Sequence, residues 1–283
     1  MRIVIVFDGS TAATAALQDL RRAGFPDDTF ALVVSVADPE SAPTDTSKCA
    51  AVAEAGKAAV SREFLGWSVT TAAATGSPPL QIIEHAREFN SELIILGESE
   101  NTGMRSNGIF GETSRAILKA AEFPVRIARK KDESGTGARR ILVGFDGSAA
   151  AAGAVESIAR RNWSANTRVR LLAVADSTVM GSIGRFTPQM NDAAIETKFT
   201  SQWAETLADE ALNKLASVGL SASVQIGFGH PCDVLAAEAE KWDADSIFVG
   251  SHASANRLDP YSIGSVSLAI AARAFCSVEV VRP

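Results

Sequence analysis

The sequence predicts an α/β protein of two similar halves, each a doubly wound parallel sheet of five strands. Three observations carry this. Short apolar runs of strand length alternate with longer stretches whose apolar residues recur at helical spacing. That order pairs strands in parallel through right-handed crossovers, with helices on both faces. The length, 283 residues, is that of two domains. The chain also repeats itself. Ile3, Phe7, Asp8, Gly9 and Ser10 recur 138 positions on as Ile141, Phe145, Asp146, Gly147 and Ser148, and Gly97 and Gly111 recur 153 positions on as Gly250 and Gly264.

The elements follow in order, twice. Arg2–Phe7 and its copy from Ile141 to Phe145 are apolar enough for buried strands, and each ends in Asp-Gly-Ser, a turn and helix-start signal. Ala13, Ala16, Leu17 and Leu20, matched by Ala151, Ala154, Val155 and Ile158, form helical stripes. Second strands are expected over Phe30–Val36 and Val169–Val174. A long helix comes next, Thr46–Phe64 in one half and marked by Leu207, Ala211, Leu215 and Val218 in the other. The change of offset from 138 to 153 means that the second half carries 15 extra residues here, assigned to Asp176–Thr200 with its loop chemistry.

Third strands over Val69–Ala74 and Ser221–Ile226 precede Gly76-Ser-Pro78 and Gly229-His-Pro231, with proline at a helix start where its missing N–H had no partner anyway. The next helices share a stripe, Ile82, Ala86 and Phe89 against Leu235, Ala239 and Trp242. Fourth strands (Leu93–Leu96, Ile247–Val249) lead through long polar loops into helices (Thr113–Ala121, Val266–Ala274) and terminal strands (Val125–Ala128, Val278–Val281). The expected domains are 1–130 and 139–283, joined by a charged, glycine-containing linker over 131–138.

A net charge of −6 argues against a nucleic-acid partner, which needs a basic face. No run approaches transmembrane length and the N-terminal apolar run is too short for a signal h-region, so a cytoplasmic chain with no membrane partner is expected. Cys49, Cys232 and Cys276 are too far apart for a zinc spacing and odd in number, which reads as free thiols.

The chemistry-bearing stretch is Ser246–Ala271: a strand closed by Gly250, a polar loop, then Gly264-Ser265 opening a helix. Helix N-termini offer unpartnered N–H groups and a positive dipole end, so phosphate is the expected guest; the plain alternative is a serine-capped turn with no ligand. Asp8 and Asp146 either hold a ribose or adenine edge or cap the following helix. Ser251, Ser265 and Ser267 either donate to phosphate or serve the loop and cap, and His252 lies in the same loop. There is no Gly-Lys-Ser/Thr phosphate loop, and no histidine is set beside a nucleophile and a carboxylate, so no catalytic residues and no protein-held metal are assigned.

Taken together, the strand-one Asp-Gly-Ser, the long fourth-strand loop and the Gly-Ser that follows resemble a tandem universal stress protein, two UspA-type, Rossmann-like domains in one chain. The resemblance implies a pseudo-two-fold arrangement with the terminal strands pairing within the chain, and a homodimer as an alternative partner. It also implies adenine nucleotide (ATP, with or without magnesium) on a Gly-x2-Gly-x9-Gly-Ser/Thr loop. In the second half Gly250, Gly264 and Ser265 match that pattern, Val266 and Ser267 follow as further candidates, and Asp146 and the Val174-Ala175 edge match the nucleoside positions. Ala253 departs at the second glycine, and 13 residues separate Gly250 from Gly264 where the pattern has 12. The first half keeps Asp8, Gly97 and Gly111 but has Glu100 and Glu112 where glycine and Ser/Thr belong, so it is expected not to bind ATP, because a carboxylate would repel phosphate in a partly desolvated cleft. The expected function is a stress-response protein that binds nucleotide in its second half. The alternatives are a nucleotide-free scaffold of the same fold or a slow ATP-hydrolysing enzyme.

Overall fold

The structure is a computed structural model and describes residues 1–39, 46–98, 111–131, 138–175, 206–251 and 263–282. The first half runs β1 (Arg2–Val6), α1 (Thr11–Asp19), β2 (Phe30–Ala37), α2 (Thr46–Glu63), β3 (Ser68–Thr75), α3 (Pro78–Glu88), β4 (Leu93–Gly97), α4 (Glu112–Ala120) and β5 (Val125–Ala128). The second half repeats it: β6 (Arg140–Gly144), α5 (Ala149–Ala159), β7 (Arg168–Ala175), α6 over 206–217, β8 (Ser221–Phe228), α7 (Pro231–Lys241), β9 (Ser246–Gly250), α8 (Ser265–Arg273) and β10 (Ser277–Val281). The loops after β4 and β9 and the extra residues at 176–200 lie outside the described residues.

The ten strands form one sheet in the order β3-β2-β1-β4-β5-β10-β9-β6-β7-β8. Within each half every pairing is parallel, as alternating strands and helices require. At the join β10 runs antiparallel to β5, with Val278 opposite Ile127, Glu279 opposite Arg126 and Val280 opposite Val125. Each half would otherwise end in an open strand edge, and the join satisfies both edges with one ladder.

Strand order also fixes where a ligand can enter. β1 lies beside β4 (Ile3 opposite Leu93) and β6 beside β9 (Ile141 opposite Ser246), while β1 and β6 pair on their other side with β2 and β7. The chain therefore reverses direction across the sheet between the first and fourth strands of each half, and the crevice opens outside their carboxyl ends.

Helices cover both faces. One face is a single core running through the join, where Ile82, Ile117 and Leu118 of α3 and α4 meet Ile94 and Ile127, continuous with Leu235 and Ile270 of α7 and α8 on Val249 and Val278. The other face is divided: α1 and α2 lie over Ile3 and Ile5, with a small group of Phe7, Ala13 and Val33 beside them, and α5 and α6 lie over Val143 and Phe248. The expected stripe Ala151, Ala154, Val155 and Ile158 is buried throughout.

Helical spacing did not foretell a charged chain buried at the join. Asp19 at the end of α1, Arg126 of β5 and Glu279 of β10 are each 0% exposed. Arg126 Nε donates to Asp19 Oδ2 at 2.6 Å, Arg126 Nη1 lies 3.5 Å from Glu279 Oε2, and Arg161 closes the chain on Glu279 Oε1. Ser277 donates to Asp19 at 2.8 Å, and Arg161 to the Ala23 carbonyl at 3.0 Å. Buried charges survive only when paired and hydrogen-bonded; here one pair lies within each half, and Arg126 with Glu279, Ser277 with Asp19 and Arg161 with the Ala23 carbonyl link the halves.

Candidate functional site

The second half encloses a cleft of about 290 Å³ at the carboxyl ends of β6 and β9. Its floor and walls are Gly144, Phe145, Leu172, Val174, Leu235 and Val249. Its polar side is Asp146 and Ser148 at the end of β6, and Gly250, Gly264, Ser265 and Ser267 between β9 and α8. Aspartate and helix N-terminus thus meet across one crevice although Asp146 and Gly264 lie 118 positions apart in sequence.

The Asp-Gly-Ser turn builds the first wall. Asp146 Oδ1 accepts the Ser148 N–H at 3.0 Å, and Ser148 Oγ accepts the Ala151 N–H at 3.1 Å as the N-cap of α5. The capping role that sequence offered to Asp146 therefore belongs to Ser148, and Asp146 braces the turn from the cleft side. Gly147 carries a φ of +74°, which calls for glycine, and a Cβ there would meet the Leu207 side chain at 2.4 Å and oblige it to shift. Asp8 and Ser10 repeat the arrangement, with Ser10 N–H to Asp8 Oδ1 at 2.9 Å and Ala13 N–H to Ser10 Oγ at 3.1 Å.

Gly250 and Gly97 have a packing reason of their own. A Cβ on Gly250 would sit 2.3 Å from the Ala150 carbonyl carbon, and one on Gly97 1.9 Å from the Ala12 carbonyl oxygen. Each glycine lets the first turn of α5 or α1 press onto the end of the fourth strand, which narrows the crevice from that side. Gly264 and Gly111 differ from these. They are the N-caps of α8 and α4 in conformations that any residue adopts (φ −64° and −53°), and among the described residues a Cβ on Gly111 meets nothing closer than the Ser114 hydroxyl at 3.9 Å. Gly264 brings no side-chain cap over the first N–H groups of α8. Its backbone conformation does not call for glycine, and its place is on the cleft wall.

The remaining expected residues divide between cleft and frame. Val174 and Val266 line the cleft beside Ser265. Ala175 ends β7, where its carbonyl accepts the Gly229 N–H at 3.2 Å. Ser267 donates its hydroxyl to the Gly250 carbonyl at 2.9 Å, tying α8 to β9. Ser251 is buried away from the cleft wall, its N–H on the Val281 carbonyl at 2.8 Å and its hydroxyl accepting from Arg282 at 3.4 Å. His252 lies outside the described residues. Sequence reasoning missed the apolar walls Leu172, Pro231 and Leu235, which lie on β7 and α7 and become neighbours of Asp146 only through the strand order.

In the first half the counterpart of Ser251 is Glu98, 153 positions earlier. Its N–H donates to the Ala128 carbonyl at 3.0 Å, the same ladder bond that Ser251 makes to Val281, but its side chain reaches α4, where Oε1 accepts the Gly111 N–H at 3.2 Å. Burial pushes the Glu98 carboxyl up, against the opposing pull of the Gly111 N–H, the Arg129 guanidinium and the Ser114 hydroxyl. Among the described residues no group of three or more His, Cys, Asp or Glu side chains could hold a metal ion, and no helix is long and apolar enough to cross a membrane.

Comparison with known proteins agrees with the duplication. The family profile described as the universal stress protein family matches the chain twice, over residues 1–129 and 137–282. Among solved structures the chain is similar to a universal stress protein from Archaeoglobus fulgidus DSM 4304, at 18% identity and a TM-score of 0.70, covering 99% of this chain and 98% of that one. It is also similar to a putative universal stress protein from Pseudomonas aeruginosa UCBPP-PA14, at 19% identity and 0.66, covering 100% and 93%. A functionally unknown protein from Pseudomonas aeruginosa PAO1 is similar at 19% and 0.66, covering 100% and 92%. At these identities the likeness is one of fold. No curated protein sequence matches the chain.

Proposed function

The chain belongs to the universal stress protein family, and from that premise we propose that it is a cytoplasmic stress-response protein whose second domain, 139–283, binds an adenine nucleotide in the crevice between β6 and β9. One observation carries the reading: Gly264 and Ser265, at the N-terminus of α8, face Asp146 across a cleft whose other walls are apolar. Phosphates suit the helix N-terminus, where N–H groups and dipole favour negative charge, with the Ser265 hydroxyl as a further donor. A base suits the Leu172, Val174 and Leu235 wall, and Asp146 offers a carboxylate to a ribose or base edge. Asp146 is the only carboxylate among the described residues on this wall, so a magnesium ion arriving with the nucleotide would be held mainly by phosphate oxygens and water. Three free cysteines suit a reducing compartment.

A second reading has its own support. Ala253 and the 13-residue loop depart from the family pattern, and a cleft of about 290 Å³ lies at the small end of ligand sites, which favours a nucleotide-free scaffold acting through protein contacts. Native mass spectrometry of the purified chain, followed by calorimetric titration with ATP, separates the two. Nucleotide retained or titrated by wild type and lost in Gly264→Val and Ser265→Ala supports binding. A chain that carries none and titrates none rejects it, and ATP hydrolysis abolished by the same substitutions would revive the enzyme alternative.

A further inference from the structure

The two halves differ at the point where the fourth strand meets the following helix. Glu98 and Ser251 occupy equivalent backbone positions, each donating its N–H to the last strand of its own half. Serine turns inward to Arg282, whereas glutamate extends over the N-terminus of α4 and accepts the Gly111 N–H at 3.2 Å. Gly111 is the counterpart of Gly264, the cleft-lining N-cap of the second half. The other oxygen of Glu98 is buried and has no hydrogen-bond partner among the described residues. A carboxylate therefore already lies at the helix N-terminus whose counterpart in the second half lines the cleft.

We propose that Glu98 is an internal plug: its carboxylate stands in for a ligand phosphate at the start of α4, and the choice of Glu98 or Ser251 decides which half admits an anionic ligand. The proposal rests on the reading of these crevices as phosphate sites. Two charges govern the surroundings. Arg129, which donates to the Cys276 carbonyl at 3.2 Å, lies close enough to favour the ionised carboxylate, and Glu112 in the first turn of α4 adds a second negative group. A phosphate entering there meets Glu98 in its place and Glu112 beside it, and like charges forced together oppose binding. Glu112 alone was legible in the sequence as an obstacle; Glu98 is the group that holds the amide.

The test uses the full chain with the second crevice disabled by Gly264→Val, so that any binding belongs to the first half. Glu98→Ser with Glu112→Ser, which copies the second half's Ser251 and Ser265, is expected to raise affinity for ATP or inorganic phosphate by roughly tenfold or more over the Gly264→Val parent. A gain with phosphate but not ATP upholds the plug and counts against the nucleotide reading. No gain with either, in a chain of unchanged circular dichroism, overturns the plug. A second measurement needs no new site: in wild-type protein the Gly111 amide resonance should shift with pH as the carboxyl of Glu98 titrates above the ordinary carboxylate range, and the shift should vanish in Glu98→Gln. A Gly111 amide that ignores pH there also overturns the proposal.

Discussion

Replacing Glu279 by glutamine removes one charge from the join and almost no volume. The carboxylate is 0% exposed and faces Arg126 and Arg161, while the other acid of this buried network, Asp19, already serves Arg126 at 2.6 Å and Arg22 at 3.4 Å. Glutamine keeps an amide oxygen that can accept from Arg161, beside the Ala23 carbonyl and the Ser157 hydroxyl, but it takes away the negative charge paired directly with that guanidinium. Removing one partner of a buried ion pair strands the other charge, which costs about 3–5 kcal/mol. With an unfolding entropy of about 2.1 cal/mol/K per residue, that is a fall in melting temperature of roughly 5–9 °C for this chain. The assay is urea unfolding followed by tryptophan fluorescence and circular dichroism, with a double-mutant cycle against Arg161→Gln. Urea is chosen because guanidinium would screen the ions. Because Trp163 packs against Gly24 across the join, fluorescence should respond to separation of the halves. The double variant should lose clearly less than the sum of the singles. A Glu279→Gln chain within about 1 kcal/mol of wild type, or strictly additive singles, would refute the claim that this network secures the join.

Other outcomes follow from the same contacts. Gly250→Ala puts a methyl against the Ala150 backbone, within 2.3 Å of its carbonyl carbon, and should destabilise the second half by about 1–3 kcal/mol while lowering nucleotide retention; a variant with wild-type melting refutes the close approach. Ser148→Ala deletes the α5 cap and should cost about 1 kcal/mol in urea unfolding. Because burial raises the Glu98 carboxyl in the folded chain, the stability linked to it is present at pH below the ordinary carboxyl range and lost as pH rises through the folded value. Glu98→Gln should therefore gain on wild type across that window and hold its advantage at neutral pH, as read from urea midpoints between about pH 4 and about pH 8. Burial pushes the Cys276 thiol up to about 12, so near pH 8 a disulfide reagent should modify half-buried Cys49 in the folded protein and reach Cys276 only on unfolding.

Much of this molecule is readable from local pattern. Apolar runs bounded by Asp8-Gly9-Ser10 and Asp146-Gly147-Ser148 mark strand ends, and the constant offsets fix the repeat, because each strand and helix is built from residues close together in the chain. The glycines were visible, but not their separate reasons. Gly250 and Gly97 answer to a helix pressed against a strand end, and Gly147 to a positive φ and to Leu207 from a helix 60 positions on. Such causes depend on neighbours that one-dimensional spacing does not name.

By itself the sequence determined the duplication, the alternation of strands and helices, and the asymmetry that puts Ser265 in one half and Glu112 in the other. Only the tertiary structure decided that β5 and β10 join two sheets into one, that Arg126 and Glu279 face each other inside that join, and that Glu98 occupies the α4 N-terminus. Each of these is a pairing between residues distant in sequence. A charged residue in an apolar strand carries no local mark of whether its partner waits in solvent or in the other half.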